Sequence, residues 1–101
     1  MIKPPKPQDR FEALAQMGCI VCRLFHGVRS EANIHHLTGL KYRGIGMKAK
    51  DEFTIPLCPT HHQYGSKEYP SVHGYPKLFR EKYGTQEELL AIVNETPIGL
   101  G

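Results

Sequence analysis

The 101-residue sequence has no tryptophan, only three cysteines and a formal charge of only +3. Three thiols cannot build the disulfide framework of a small secreted domain, and so small a charge is less than a dedicated nucleic-acid binder carries. No run approaches the roughly 18 apolar residues of a membrane span, and the first residues lack the apolar core of a secretory signal. We therefore expect a cytoplasmic protein with no membrane partner.

Eight prolines and ten glycines favour short elements joined by loops over a long helical bundle. Residues 1–8 carry prolines at positions 4, 5 and 7 and lysines at positions 3 and 6, so they are expected to form a flexible basic arm. Residues 9–95 are expected to form a single domain, and residues 96–101 a tail. No internal repeat indicates a second domain.

The sequence of residues 1–57 predicts one helix and two strands. Asp9 and Glu12 have the spacing of a capping box, which predicts a helix at about residues 9–17 that Gly18 ends. Strands are predicted at residues 32–37 and 53–57, and Pro56 restricts the second strand to a sheet edge or a strand end.

The C-terminal half predicts three helices. A short helix is expected after Pro59, and a second at about residues 76–83, ending at Gly84. Thr85 and Glu88 form a further capping box, which opens a helix through Asn94. These elements indicate a small α+β domain.

Two pairs of residues have the spacing of zinc ligands. Cys19 and Cys22 are separated by two residues, and so are Cys58 and His61. Two such turns can aim four side chains at one tetrahedral ion and so staple a small core. The alternatives are buried cysteines with a helix-capping His61, and a redox-active cysteine pair, which lacks the expected preceding strand of a βαβ unit.

Four further histidines, at positions 35, 36, 62 and 73, are not needed for that zinc site. Adjacent helical residues diverge by about 100°, so His61 and His62 should serve different centres. In a regular strand His35 and His36 would face opposite sides, and both reach one cleft only if the strand bends or ends there. His26 is interpreted as an ordinary surface or core imidazole.

The order of these motifs resembles that of the HNH (His-Me finger) endonucleases, in which a ββα-metal unit folds around a zinc knuckle. The sequence is also similar to the Ref-type RecA-dependent recombination-enhancement nucleases of phages, across about residues 17–90. The segments that carry this resemblance are 18–22 (GCIVC), 34–36 (IHH), 48–58 (KAKDEFTIPLC), 61–62 (HH), 71–74 (SVHG) and 83–85 (YGT). The resemblance implies a zinc-stapled HNH unit with flanking short helices in residues 9–95.

The resemblance also implies roles for individual residues. His36 matches the general base, while His35 and His62 match ligands of a catalytic divalent ion. The Asn of the HNH name should lie five residues before Cys58, where this sequence has Phe53. The group that orients the base is therefore unassigned, and Asp51 and His73 are candidates. Asp51 would supply a hydrogen bond or metal contact, and His73 a contact to phosphate or leaving group.

We expect these residues to make a DNA endonuclease with a structural zinc and a catalytic ion. Imidazole ligands favour manganese, nickel, cobalt or zinc, whereas magnesium prefers oxygen ligands, which phosphate and water can supply. Magnesium or manganese is the expected catalytic ion. The resemblance implies DNA, a RecA filament or its displacement loop as partners.

Basic residues offer a route for the DNA backbone, and an ordinary solvated surface is the alternative. The first group is Lys41, Arg43, Lys48 and Lys50, and the second is Lys77, Arg80 and Lys82. The competing function is a non-catalytic zinc-knuckle module that binds DNA or a recombination protein. Such a module should hold one zinc and ignore added manganese or magnesium.

Overall fold

The computed structural model describes residues 7–38, 50 and 52–96. Residues 1–6 of the expected arm, the basic loop 39–49, Asp51 and residues 97–101 of the expected tail lie outside the described residues. Helix α1 spans Pro7–Met17, so it begins two residues before the predicted start. Asp9 therefore lies in the first turn, and the prediction that it opens a capping box was wrong. Proline suits a first helical turn because its missing N–H would have no helical acceptor there.

Gly18 ends α1 and begins the turn that carries Cys19 and Cys22. Its φ of +77° is one that residues with a side chain rarely adopt, and its N–H donates to the carbonyl of Leu14. An added Cβ would lie 2.7 Å from the carbonyl oxygen of Ser30, which accepts a hydrogen bond from the N–H of Cys19. Glycine is thus required both for the turn and for this close backbone approach.

Two short antiparallel strands form the sheet that lies under the candidate site. Strand β1 spans Asn33–His36 and strand β2 spans Thr54–Leu57. His35 pairs with Ile55, and His36 pairs with Thr54. Among the described residues the sheet consists of these two strands, so each is an edge strand, which satisfies the restriction expected from Pro56. All four residues of β2 are buried, whereas in β1 only His35 is buried, Asn33 is exposed, and Ile34 and His36 are half-buried.

Helix α1 is held against the sheet by hydrogen bonds from Arg10. Its guanidinium donates to the side-chain oxygen of Thr54 at 2.8 Å and to the carbonyl of Thr54 at 2.7 Å. Thr54 is fully buried, so these bonds satisfy polar atoms that water cannot reach. Arg10 thus ties the first helix to the second strand.

Two helices follow Cys58 and His61 in the chain. Helix α2 spans Pro76–Tyr83 and helix α3 spans Gln86–Glu95. Both were predicted, and the capping box of Thr85 and Glu88 is confirmed in both of its hydrogen bonds. Among the described residues, no helix has both the length and the apolar character needed to cross a bilayer.

The hydrophobic core joins all these elements. Its largest fully buried members include Phe79, Leu14, Ile20, Leu37, Ile55, Leu57 and Leu89. The three cysteines belong to the same cluster of buried residues. The candidate metal ligands are therefore part of the core of this small α+β fold.

Candidate metal centres

The first pair of candidate sulfur ligands, Cys19 and Cys22, follows α1. Cys22 begins a single wide helical turn, Cys22–His26, and its N–H points at the Sγ of Cys19 at 3.5 Å. Gly27 closes the turn with a φ of +66°. Cys19 and Cys22 are both buried, so their sulfurs face the interior.

The second ligand pair lies where β2 ends. Cys58 directly follows the strand, and His61 lies in a second wide helical turn, Thr60–Tyr64. The N–H of His62 donates to the carbonyl of Cys58 at 2.8 Å. The short helix predicted after Pro59 is thus a single turn that carries both His61 and His62.

Cys19, Cys22, Cys58 and His61 form a buried cluster, which we call the Cys3His cluster. The Sγ atoms of Cys22 and Cys58 are 3.8 Å apart. The Nδ1 atom of His61 lies 3.7, 3.6 and 3.2 Å from the sulfurs of Cys19, Cys22 and Cys58. Tetrahedral zinc, with bonds of about 2.3 Å to sulfur and about 2.0–2.1 Å to nitrogen, needs about 3.8 Å between sulfurs and about 3.5–3.6 Å between sulfur and nitrogen. The Cys3His cluster could bind a metal such as zinc.

The electrostatics of this cluster also fit a cation. Burial raises the pKa of Cys19 to about 12 and raises that of Cys22. Burial also lowers the pKa of His61 to about 4, which favours the neutral imidazole. Closely spaced buried thiolates need a positive charge beside them, and a bound divalent ion supplies it.

Aromatic side chains cover His61. The ring of His26 stacks on it at 5.4 Å with an interplanar angle of 17°, and Tyr83 meets it edge-on at 5.2 Å. The Nε2 atom of His61 is buried without a hydrogen-bond partner among the described residues. Packing and the sulfur contacts of Nδ1 therefore orient this ring.

A second group consists of His35, His62 and His73, which we call the three-histidine cluster. One nitrogen from each ring lies within 4.8 Å of the others. The Nε2 atoms of His62 and His73 are 3.2 Å apart, and the ring of His35 lies 5.1 Å from that of His62 and 5.0 Å from that of His73. Three imidazoles at this spacing could hold a divalent ion with room for a further ligand.

Three separate segments bring these histidines together. His35 comes from β1, His62 from the turn Thr60–Tyr64, and His73 from the loop that follows. The loop runs beside the turn, because the N–H of Val72 donates to the carbonyl of His61 and that of His73 to the carbonyl of His62. His61 and His62 belong to different clusters, which is the arrangement that their 100° divergence predicts.

The environment of His35 and His62 favours neutral imidazoles. Burial, with smaller contributions from the neighbouring histidines, lowers the pKa of His35 to about 4, against the hydrogen bond with Gln86, which raises it. Burial and the proximity of His73 also lower the pKa of His62. A neutral imidazole has one nitrogen lone pair free to bind a metal.

His36 lies outside the three-histidine cluster. Strand β1 keeps its regular register through His36, which pairs with Thr54. The half-buried ring of His36 meets Phe11 of α1 edge-on at 6.1 Å, whereas His35 is buried against the other two histidines. The bend that would bring both rings to one cleft is not seen in this strand.

Several of the other expected site residues lie outside the described residues. Asp51 and the basic residues Lys41, Arg43 and Lys48 lie outside the described residues, and Lys50 is exposed. On α2, Lys77 and Arg80 are exposed, and Arg80 lines a cleft of about 240 Å³ together with Thr38 and Gln86. Lys82 donates to the carbonyl of Glu68 and lies over the ring of Tyr69.

Sequence reasoning missed one polar partner of His35. The Oε1 atom of Gln86, the first residue of α3, lies 2.8 Å from the Nε2 atom of His35. The capping box at Thr85 indicated where α3 begins, but no local pattern indicates a contact across 51 residues.

Comparisons with known proteins place the chain in a family. A family model described as "Recombination enhancement, RecA-dependent nuclease" matches residues 5–97. The chain is also similar to the uncharacterized protein YdfU of Escherichia coli strain K12, with 36% identity over 67 residues. That match covers 66% of this chain and 17% of YdfU, so the chain spans less than a fifth of that relative's length.

Proposed function

Because the chain belongs to the recombination-enhancement, RecA-dependent nuclease family, we propose that it is a metal-dependent DNA endonuclease. The family name implies a nuclease role in recombination. The observation that supports this proposal most is the three-histidine cluster, which lies beside the Cys3His cluster but shares no residue with it. A protein that needed metal only for its fold would have no use for a second group of ligands.

His35, His62 and His73 are the proposed ligands of the catalytic ion. A bound divalent ion would act as a Lewis acid on a phosphate oxygen and on the leaving oxygen. His73 is added to the ligands that the resemblance implies, because its Nε2 lies within 3.2 Å of that of His62. Magnesium or manganese is the proposed ion, and cobalt, nickel and zinc also suit imidazole ligands.

His36 is the proposed general base. A neutral imidazole accepts a proton from water at physiological pH, and the family pattern gives this role to the second histidine of the pair. The order of two strands followed by the helical turn Thr60–Tyr64 supports the proposal of an HNH-type ββα unit. Phe53 stands where that pattern has Asn, so Asp51 keeps its proposed role as the group that orients the base or contacts the metal.

DNA and a RecA filament, or the displacement loop that it makes, are the proposed partners. A net charge of +3 supports only modest, salt-sensitive affinity for DNA. Recruitment by a second protein would compensate for that weak affinity. Lys41, Arg43, Lys48 and Lys50 remain the proposed DNA contacts, and the exposed Arg80 of α2 is a further proposed contact.

The test is nicking of supercoiled DNA and of a displacement loop, each with magnesium or manganese and with or without RecA. The expected result is metal-stimulated nicking that His62→Ala abolishes. Gln63→Ala is the matched control, because Gln63 is exposed on the same turn as His62 and belongs to neither cluster. A protein with one zinc per chain and no cutting under any condition would instead be the non-catalytic zinc-knuckle module.

A further inference from the structure

The hydrogen bonds of Gln86 determine the orientation of its amide. Its Oε1 atom accepts from the backbone N–H of Thr38 at 3.1 Å, and its Nε2 atom donates to the Oγ1 of Thr38 at 2.9 Å. The two ends of an amide look alike in outline, but a backbone N–H can only donate. The end of the amide that faces the N–H of Thr38 must therefore be the oxygen.

This orientation also determines the tautomer of His35. The same Oε1 atom lies 2.8 Å from the Nε2 atom of His35, and a carbonyl oxygen can only accept. Nε2 of His35 must therefore carry the proton. In a neutral imidazole the other nitrogen, Nδ1, then keeps the free lone pair. With 1% of its surface exposed, His35 has little water available to replace this contact.

We propose that Gln86 is a positioning residue that holds His35 in the tautomer whose Nδ1 binds the catalytic divalent ion. This inference rests on the metal site of the proposed function. Metal-binding histidines usually donate their second ring N–H to an acceptor, which fixes the ring and makes the ligand nitrogen more basic. Here the acceptor is a neutral amide from the last helix of the described chain.

The geometry around Gln86 is rigid enough for this role. The side chain of Thr85 accepts from the N–H of Glu88 at 3.1 Å, and the side chain of Glu88 accepts from the N–H of Thr85 at 3.2 Å. These bonds fix the start of α3, where Gln86 is the first helical residue. Thr38 lies two residues after β1, so its two bonds to Gln86 tie α3 to the end of the strand that carries His35.

Metal affinity tests this role with two variants of Gln86. Gln86→Met keeps the length of the side chain but removes the acceptor, whereas Gln86→Glu keeps an acceptor oxygen. Cobalt(II) is titrated calorimetrically into each protein with its structural zinc in place. Gln86→Met should bind cobalt about 10–100-fold more weakly, and Gln86→Glu within about threefold of the wild type or more tightly. Gln16→Met, at an exposed glutamine of α1, is the matched control and should leave the affinity unchanged.

The tautomer itself provides a readout that does not depend on metal. Long-range proton–nitrogen correlation spectra of the imidazoles should show His35 protonated at Nε2 in the wild type and in Gln86→Glu. Gln86→Met should lose that preference. His35 protonated at Nδ1 in the wild type would overturn the inference, as would cobalt binding by Gln86→Met that equals that of the wild type.

The two proposals fail in different ways. If the wild type takes up no cobalt beyond its zinc, both the metal site and the role of Gln86 in it are refuted. If the wild type binds cobalt and Gln86→Met binds it equally well, only the role of Gln86 is refuted. Should Gln86→Met fold poorly, the spectrum of the wild type and the affinity of Gln86→Glu still decide the question.

Discussion

Replacing Cys58 by serine should remove the metal that holds the small core together. Cys58 is buried, directly follows β2 and contributes a sulfur 3.2 Å from the Nδ1 of His61. Structural zinc contributes about 10–16 kcal/mol to the folding of zinc-finger peptides, and this whole contribution is lost when the ion no longer binds. A domain of this size has an unfolding free energy of only about 5–15 kcal/mol. Cys58→Ser should therefore remove a large part of the stability.

The loss is measured by thermal unfolding together with the zinc content of the purified protein. A loss of about 10 kcal/mol or more would leave so small a domain without a cooperative melting transition above room temperature. Wild-type protein treated with EDTA should unfold as readily as Cys58→Ser, and the variant should not respond to EDTA. Val72→Thr is the control for placing a hydroxyl in the core, because Val72 is buried and is no metal ligand. It should lose about 1–3 kcal/mol yet keep its zinc and its response to EDTA.

The outcome that contradicts this reasoning is specific. Wild-type protein without zinc, melting at the same temperature with and without EDTA, would show that no metal supports the fold. A Cys58→Ser protein as stable as Val72→Thr would lead to the same conclusion. The near-tetrahedral spacing of the four ligand atoms would then be a feature of core packing alone.

Three further predictions concern catalysis, DNA binding and pH. His36→Ala should lower the nicking rate by about 100-fold or more, with DNA binding and thermal stability largely intact. A rate within about threefold of the wild type would exclude His36 as the general base. Arg80→Gln should weaken DNA binding and reduce the salt dependence of the binding constant by about one unit of slope, whereas an unchanged slope would place Arg80 away from phosphate. Burial lowers the pKa of His35 from 6.5 to about 4, so between these two pH values the unfolded chain binds more protons than the folded protein does. In urea titrations without added divalent ion, stability should therefore fall as pH drops from 6.5 to about 4, and less steeply in His35→Gln; equal slopes would refute this role of His35.

Much of the secondary structure could be predicted because it depends on local patterns. The mostly apolar run 53–57 is a local strand signal, and the structure confirms it, as it confirms the strand predicted at residues 32–37. Thr85 and Glu88 act within one helical turn, so their capping box was visible from spacing alone. The separation of His61 from His62 follows from helical geometry in the same way.

The parts that could not be predicted depend on contacts between distant segments. Gln86 meets His35 only after α3 has packed against the sheet, and glutamine has no sequence signature as a partner of a metal ligand. The start of α1 was placed two residues too late, because the spacing of Asp9 and Glu12 is the same whether Asp9 precedes the helix or lies in its first turn. The partner of His36 is likewise decided by packing, because α1 places Phe11 against that side of β1.

The two clusters are coupled by the chain that they share. Cys58 and His61 hold one end of the turn Thr60–Tyr64 to the Cys3His cluster, and the N–H of His62 is bonded to the carbonyl of Cys58. The loop that carries His73 is held to this turn, because the N–H groups of Val72 and His73 donate to the carbonyls of His61 and His62. Loss of the structural metal should therefore displace two of the three proposed catalytic ligands together. Both segments that approach His35 take their position from the Cys3His cluster, so a catalytic site in so small a core would depend on the structural ion for its geometry.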